Sequence, residues 1–188
     1  KDNTARLYIV ATPIGNMEDI TLRALRILGE VDVIAAEDTR QTGKLLHRHN
    51  ISKPMLSLNQ HNEASRAQAI IERIAGGESV ALCSDAGTPA LSDPGARLVR
   101  ECRQAGIECV PIPGPSALAT AISDAGLDST RFVFDGFLPA SGAERTRALQ
   151  QLQGEGRSVV LYEAPHRVLK TLAALLEQME MDLLLGAE

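Results

Sequence analysis

The chain has 188 residues, 24 acidic and 19 basic, with a formal net charge of −5. Its 44% apolar and 23% charged residues exclude a disordered chain, a collagen-like repeat and a coiled coil, and its length predicts one large or two small domains. The net negative charge excludes a surface that attracts polyanions everywhere, so any nucleic-acid site must be local.

Short apolar, β-branched runs alternate with longer stretches of helical period from the first strand onward. This alternation is typical of βα units around a mainly parallel sheet, so the predicted fold class is α/β. Strands are predicted near Leu7–Ala11, Val31–Ala36, Met55–Leu58, Val80–Ser84 and Glu108–Ile112, and helices near Ile20–Leu28, Thr42–His49, Glu63–Ala75, Gly95–Ala105 and Pro115–Ala125.

A second, smaller α/β unit follows the turn after Gly126. Its pattern is an apolar run at Phe132–Phe137, a loop, a helix near Glu144–Leu152, a strand at Ser158–Tyr162 and a helix at Val168–Met179. The predicted domains are residues 1–114 and 115–188.

The cysteines predict a reducing environment. They are odd in number and form no C-x-x-C pair, which favours neither a disulfide framework nor a zinc ribbon. We expect a cytoplasmic protein, and we expect no signal peptide or membrane span because about 18 apolar residues never run together. His47 and His49 would face different ways on a helix, so no metal is predicted.

The turns after the strands carry the residues suited to ligand binding. In an open α/β sheet, ligands bind beyond the carboxyl ends of the strands. Residues 84–95 form a longer turn than a connection requires, and Asp85 and Thr88 offer polar groups among small residues. Residues 113–118 open the next helix, where Ser116 can cap it or bind a ligand. These neighbouring turns predict a pocket, with turn formation and helix capping as the alternative.

Two common phosphate-binding patterns are missing. The first turn, residues 11–16, lacks G-x-G-x-x-G, and Gly43-Lys44 is followed by Leu45 where a P-loop requires Ser or Thr. A dinucleotide site and a P-loop NTPase are therefore disfavoured.

The second and third strands end in polar clusters, residues 36–40 and 59–63, for which helix capping is again the alternative. A segment without acids follows the first cluster, from Thr39 to Lys53. Its basic side chains predict either a solvated helix face or a local patch for phosphates.

Six ordered segments carry a family resemblance: residues 7–16, 18–21, 35–40, 84–89, 113–116 and 162–167. Together they resemble the tetrapyrrole methylase superfamily, which comprises S-adenosylmethionine (SAM)-dependent enzymes with two α/β domains and the cofactor in the cleft. Within it they look like the branch that methylates a ribose 2′-oxygen of small-subunit ribosomal RNA. The resemblance covers about residues 7 to 170.

The resemblance implies a SAM site, an RNA substrate and a homodimer. The implied SAM contacts are Pro13, Ile14, Gly15, Asp85, Gly87, Thr88, Ser116 and Ala117, with Tyr162, Glu163 and Ala164 from the second domain. The implied substrate is a cytidine in the decoding region. Transfer to a ribose hydroxyl is helped by a proton acceptor, and the candidate catalytic residues are Glu37, Asp38, His61 and Glu63. The candidate RNA contacts are Arg40, Lys44, His166 and Arg167.

Two departures from this branch stand out. The loop after Pro139 lacks the usual basic residues, which predicts a weaker RNA contact. After Met179 relatives continue with further strands, which predicts a truncated second domain or residues beyond this sequence.

Three alternatives to the RNA branch remain. Other branches methylate a tetrapyrrole or a protein. A serine hydrolase would use Ser116 with His166 as base, although the second glycine of G-x-S-x-G is missing. The third alternative is an RNA-binding module without catalysis, which the 3% aromatic content disfavours as a base-stacking platform.

Overall fold

A computed structural model of the chain describes residues 5–127 and 130–178. The chain divides into two compact units, Lys1–Ala117 and Leu118–Glu188. Over the described residues, no helix has the length and apolar character needed to cross a membrane. The predicted truncation of the second domain concerns residues after Met179, which lie outside the described part of the chain.

The first unit is built on a five-stranded parallel sheet in the order β3-β2-β4-β1-β5. Its strands are β1 (Leu7–Val10), β2 (Val33–Ala36), β3 (Met55–Ser57), β4 (Val80–Cys83) and β5 (Cys109–Ile112). The helices are α1 (Leu22–Glu30), α2 (Thr39–Arg48), α3 (Glu63–Ala75) and α4 (Ala96–Gln104), and α5 (Ala117–Asp124) begins where the two units divide.

Two layers of helices cover this sheet. All residues of the central strands β2 and β4 are buried, as expected for a parallel sheet packed on both faces. Apolar residues of α1 and α2, including Ile27 and Leu45, pack on one face. Residues of α3 and α4, including Ile70 and Leu98, pack on the other. Helices therefore cover both faces of the sheet, and the carboxyl ends of its strands lie at one edge.

The strand order creates a switch point between β1 and β4. The chain passes from β1 over β4 to reach β2, and it passes from β4 over β1 to reach β5. Since such crossovers are right-handed, the connections after these adjacent strands leave toward opposite faces of the sheet. A crevice at the carboxyl ends of β1 and β4 is therefore expected to hold the ligand.

The second unit contains a two-stranded parallel sheet formed by β6 (Phe132–Phe137) and β7 (Ser158–Tyr162). Its helices α6 (Gly142–Gln153) and α7 (Val168–Gln178) follow the two strands in turn. Leu138, Leu149 and Leu175 form the small buried core of this unit.

The observed elements differ from the predicted ones mainly at their ends. Helix α2 begins at Thr39 rather than Thr42, because the carboxylate of Asp38 accepts the Arg40 N–H and caps the helix there. Two short 3₁₀ turns, Met17–Asp19 and Pro165–Arg167, were not predicted. The predicted α/β class is confirmed.

Candidate functional site

An antiparallel bridge joins the loops that follow β1 and β4. The N–H of Thr12 donates to the carbonyl of Gly87 at 3.0 Å, and the N–H of Gly87 donates to the carbonyl of Thr12 at 3.0 Å. The Thr12 hydroxyl also donates to the Ser84 carbonyl at 3.2 Å. The two loops that leave the sheet toward opposite faces are therefore held together at the switch point.

A cavity of about 370 Å³ opens beside this bridge. Its walls come from the β1 loop (residues 12–15 and Met17), from α2 (Gln41, Thr42 and Leu45) and from the β4 loop (residues 84–86). Its volume lies at the lower end of the range of small-molecule sites. Pro13, Ile14, Gly15 and Asp85, four of the predicted SAM contacts, line it.

The other predicted SAM contacts of the first unit lie where the β4 loop meets the β5 loop. The Thr88 hydroxyl donates to the Pro115 carbonyl at 3.2 Å, and Ser116 and Ala117 follow directly in the chain. Gly87 has φ +79°, and a Cβ there would lie 3.3 Å from Cγ2 of Ile14. A side chain at this position would be strained and would crowd the β1 loop.

The second unit places Tyr162 at the end of β7 and Glu163 and Ala164 directly after it. The Tyr162 hydroxyl accepts the N–H of Leu118 at 3.2 Å. Its ring makes edge-to-face contacts with Phe134 and Phe137, with ring centroids 4.9 and 5.6 Å apart. The aromatic residues of β6 and β7 therefore fix the orientation of this tyrosine.

Both oxygens of the Glu163 carboxylate are bound within the second unit. Oε2 accepts the Thr171 hydroxyl at 2.6 Å, and Oε1 accepts the Ala164 N–H at 2.8 Å and Nη2 of Arg167 at 2.7 Å. The buried guanidinium of Arg145 donates to the hydroxyl of Thr171 at 2.8 Å and to the carbonyl of Pro139. This network holds the turn after β7.

The network also sets the ionisation of Glu163. Burial acts to raise the pKa of this carboxyl, but the hydrogen bonds from Thr171 and Ala164 and the charge of Arg167 outweigh it, so the pKa is lowered. Arg167, a predicted RNA contact, is thus engaged inside the second unit, whereas the neighbouring His166 is exposed.

Glu37 and Asp85 link the turns after β2 and β4. Oε2 of Glu37 accepts the N–H of Asp85 at 3.2 Å, and Oδ1 of Asp85 accepts the N–H of Asp38 at 2.9 Å. Burial raises the pKa of Glu37, and the nearby carboxylates, Asp93 first among them, raise it further. Glu37 is therefore a better proton acceptor than an ordinary surface glutamate.

The predicted acceptor Asp38 has a different environment. Its carboxylate binds the guanidinium of Arg40 through both oxygens, at 3.1 and 2.7 Å, and also caps α2. These hydrogen bonds from Arg40 lower the pKa of Asp38 to about 2. Such an acidic group is a weak base, so the structure assigns Asp38 to the helix cap.

Glu63 serves as a cap for a helix distant in sequence. Its Oε1 accepts the backbone N–H groups of Gly95, Arg97 and Leu98, at 3.0, 3.0 and 3.1 Å. The fourth predicted acceptor, His61, is exposed in a turn where its N–H donates to Oδ1 of Asn59 at 3.0 Å. Of the predicted acceptors, Glu37 and Asp38 are both bound to Asp85, which lines the cavity, and Glu37 is the one of these two whose pKa is raised.

Arg40 and Lys44 lie on the exposed side of α2, whose inner side contributes Thr42 and Leu45 to the cavity. Nζ of Lys44 donates to Oε1 of Gln41 at 3.0 Å. The predicted basic patch thus lies along a helix that forms one wall of the cavity.

The predictions missed the α2 residues of this wall and Met17. A signal was present for Thr42, because this polar residue occupies the apolar face of α2 together with Leu45 and Leu46. Over residues 5–127 and 130–178, no group of three or more His, Cys, Asp or Glu side chains could hold a metal ion.

The sequence profile described as Tetrapyrrole (Corrin/Porphyrin) Methylases matches residues 6–185. The chain belongs to this family. The resemblance drawn from the six segments is thereby confirmed, together with the fold class that it implies. SAM, the cofactor that the resemblance implies, is the methyl donor of this family.

Curated relatives match most of the chain. The Ribosomal RNA small subunit methyltransferase I of Pasteurella multocida (strain Pm70) is 52% identical over 98% of this chain and 64% of its own length. The protein of the same name from Thermotoga maritima is 50% identical over 92% of this chain and 77% of its own length. The chain spans 64% of the length of this Pasteurella relative and of two further relatives of the same name.

Solved structures share the fold. The uroporphyrin-III-C-methyltransferase of Thermus thermophilus superposes with a TM-score of 0.65 at 21% identity, covering 94% of this chain and 75% of that one. A diphthine synthase superposes with a TM-score of 0.64 at 18% identity, covering 92% of this chain and 73% of that one. At these identities the likeness shows the fold alone.

The first unit of this family member fits SAM chemically. A sulfonium and an ammonium group make SAM a cationic ligand at one end, and the carboxylates of Glu37, Asp85 and Asp93 lie together at the carboxyl ends of β2 and β4. The glycine at position 87 keeps the loops free of a side chain that would fill the space beside Ile14. Both the charge and the space suit the cofactor.

Proposed function

We propose that this chain belongs to a methyltransferase that transfers the methyl group of SAM to the ribose 2′-hydroxyl of a cytidine in the decoding region of small-subunit ribosomal RNA. The observation that carries the proposal is the 52% identity, over 98% of the chain, with a relative named Ribosomal RNA small subunit methyltransferase I. We further propose a cytoplasmic location, which the proposed ribosomal substrate supports, and a homodimer as the working unit.

The cofactor would be held by the three loops at the carboxyl ends of β1, β4 and β5. The proposed contacts are residues 13–15, Asp85, residues 87–88 and residues 116–117, with Tyr162 and Ala164 from the second unit. Bound SAM supplies a methyl group already activated by its sulfonium leaving group. Since that group needs no further activation, the main task of the chain is to hold the acceptor oxygen in line with it, which is worth up to about 7–11 kcal/mol.

The remaining task is to accept the proton of the ribose hydroxyl, and we assign it to Glu37. Its carboxylate lies at the end of β2 and its Oε2 binds the N–H of Asp85, a cavity residue. Burial keeps its pKa above the ordinary value. We assign Asp38 and Glu63 to capping, because their oxygens are bound to Arg40 and to the first turn of α4.

The family offers two other acceptor classes, a tetrapyrrole and a protein. The two solved structures named for such activities are 21% and 18% identical to this chain, whereas the relatives named for ribosomal RNA are about 50% identical. The identity therefore favours the RNA acceptor. Family membership gives no support to the serine hydrolase or the RNA-binding module without catalysis.

The deciding experiment supplies the protein containing this chain with isotope-labelled SAM and small ribosomal subunits lacking the native methylation. The RNA is digested to nucleosides and analysed by mass spectrometry. We expect label in 2′-O-methylcytidine. SAM binding without labelled RNA would refute the RNA acceptor, and absence of SAM binding would refute the methyltransferase activity.

The role of Glu37 is tested by Glu37→Gln. We expect normal SAM binding and a slower single-turnover rate, because an amide cannot accept the proton. In the unsubstituted protein the rate should rise with pH through the raised pKa of Glu37, since only the ionised carboxylate is a base. Glu30→Gln, at an exposed position of α1, is the matched control. An unchanged rate in Glu37→Gln would remove Glu37 from the mechanism.

A further inference from the structure

Four of the five aromatic residues of the chain lie on one face of the β6–β7 sheet. The ring of Tyr162 contacts the rings of Phe134 and Phe137. Phe132 shares this face, because side chains two positions apart along a strand point the same way. The low aromatic content of the chain disfavours a protein that binds RNA through stacking alone, but these few rings are gathered in one place.

Helices α6 and α7 pack on the opposite face of this sheet. Leu161 precedes Tyr162 and therefore points the other way, where it packs with Leu149 of α6 and Leu175 of α7. On the aromatic face, Phe137 is 49% exposed and Phe132 is 37% exposed. Apolar residues scattered singly over a surface need no explanation, but rings grouped on one exposed face indicate an interaction surface.

A β-bulge turns Phe137 onto the aromatic face. The pairing of β6 with β7 shifts between Phe134 and Gly136, where Asp135 is the extra residue. With regular alternation, a residue three positions after Phe134 would point to the opposite face, toward the core under α6 and α7. The bulge instead pairs Phe137 with Tyr162, and their ring centroids are 5.6 Å apart. Bulges that re-aim one side chain are typical of the surroundings of active sites.

The re-aimed ring lies at the carboxyl ends of the two parallel strands. Phe137 is the last residue of β6, and Tyr162 is the last residue of β7. Ligands of parallel sheets bind at this edge. Since Tyr162 and Ala164 are proposed contacts of the cofactor, the exposed ring beside them is suited to contact the substrate that receives the methyl group.

The chain around these strand ends is polar at the surface. Asp135 is exposed two positions before Phe137, and His166 is exposed in the 3₁₀ turn that follows β7. A nucleobase suits a ring in such surroundings, because its flat face stacks on the ring while its polar edge and its phosphate stay among polar groups and water. A protein partner would require a broader apolar centre.

We propose that Phe137 stacks on an unpaired base of the RNA strand that carries the target ribose, with Tyr162 holding the ring of Phe137 in place. This inference rests on the proposed function, because that RNA is the substrate of the reaction. Stacking requires no charge on the protein, and residues 139–143, the loop after Phe137, contain no basic residue. The aromatic contact therefore supplies affinity where the loop does not.

The test removes or keeps the ring at position 137. Phe137→Leu keeps apolar bulk without a ring, Phe137→Tyr keeps the ring, and Phe132→Leu is the matched control at the other end of the same strand. In the protein containing this chain we measure the SAM Kd by calorimetry, and KM and kcat for methylation of small subunits lacking the native modification. We expect Phe137→Leu to raise KM about tenfold, with kcat and the SAM Kd within about twofold. Phe137→Tyr and Phe132→Leu should stay within about twofold in all three quantities.

Three results would overturn the assignment while leaving the proposed function intact. An unchanged KM in Phe137→Leu would show that the ring does not contact the RNA, and a weaker SAM Kd would assign the ring to the cofactor. A melting temperature that falls as far in Phe137→Ala as in Leu149→Ala, a variant of the buried core, would show that protein covers the ring. If the unsubstituted protein binds SAM but methylates no RNA, the proposed function fails and the inference fails with it.

The salt dependence of RNA binding distinguishes stacking from a phosphate contact. Stacking on a base releases no counterions, so we expect Phe137→Leu to weaken binding without changing the slope of log K against log salt concentration. A slope reduced by about 0.7, the value for one phosphate contact to a single strand, would overturn the stacking assignment.

Discussion

The carboxylate of Glu63 anchors the N-terminus of α4, and its removal should destabilise the first unit. Gly95, the N-cap residue of α4, has no side chain, so the orphaned N–H groups of this helix depend on Oε1 of Glu63. Loss of one capping bond costs about 1 kcal/mol, and loss of a carboxylate at a helix N-terminus costs up to about 1 kcal/mol more. With three N–H groups sharing one oxygen, we expect Glu63→Ala to lower the free energy of unfolding by about 2–3 kcal/mol.

Urea denaturation followed by circular dichroism measures this loss, with the m-value checking that the transition keeps its cooperativity. Glu63→Gln should recover about half of the loss, because its amide oxygen still accepts hydrogen bonds without the charge. Glu101→Ala is the matched control on α4, since its ion pair with Arg97 lies at the surface and is worth about 0.3–0.5 kcal/mol. Equal effects of Glu63→Ala and Glu101→Ala would refute the capping role, and lost methyl transfer at full stability would restore Glu63 as a proton acceptor.

Three further predictions concern packing and reactivity. Gly95→Ala should cost about 3 kcal/mol of unfolding free energy, because φ is +121° and the new Cβ would lie 2.6 Å from a leucine of β4. Gly29→Ala has open space around it and should stabilise α1 by about 0.5–1 kcal/mol. Thermal melts of the two variants distinguish these opposite effects. Arg145→Leu should cost about 2 kcal/mol in urea denaturation, since it removes the buried guanidinium that donates to the Pro139 carbonyl and the Thr171 hydroxyl, and a loss below about 1 kcal/mol would contradict this role. Iodoacetamide should label Cys109 first in the native protein, because burial raises the pKa of each of the other two thiols to about 12; mass spectrometry of the labelled peptides tests this order.

The sequence was sufficient to predict the elements of the sheet and the edge at which the site lies. Alternating apolar runs and helical periods depend on local spacing, and helix α3 and strand β7 were predicted with their observed bounds. The site followed from a general property of parallel sheets, since all strands end at one edge. The loops after β1 and β4 accordingly meet there, as the bridge of Thr12 to Gly87 shows.

The roles of individual side chains at that edge depend on contacts between distant residues. Glu63 and Gly95 are separated by 32 positions, and no local pattern indicates that one caps the helix of the other. Glu37 and Asp38 are neighbours of the same chemical type, yet burial raises the pKa of one and a guanidinium lowers that of the other. The spacing of residues along the chain shows neither how deeply a carboxylate is buried nor which group it binds. The choice among the candidate acceptors therefore required the structure.

The bridge of Thr12 to Gly87 also affects which substitutions the site tolerates. Both of its hydrogen bonds join backbone atoms, so replacing the threonine by another residue that keeps its N–H leaves the pair of bonds in place. Proline at position 12 is different, because it removes the donor of one bond and leaves the Gly87 carbonyl with the longer hydrogen bond from the Ser84 hydroxyl, at 3.4 Å. The side chains around the cavity can therefore vary while the backbone bridge persists, whereas a change in the length of either loop would alter the bridge and the cavity beside it.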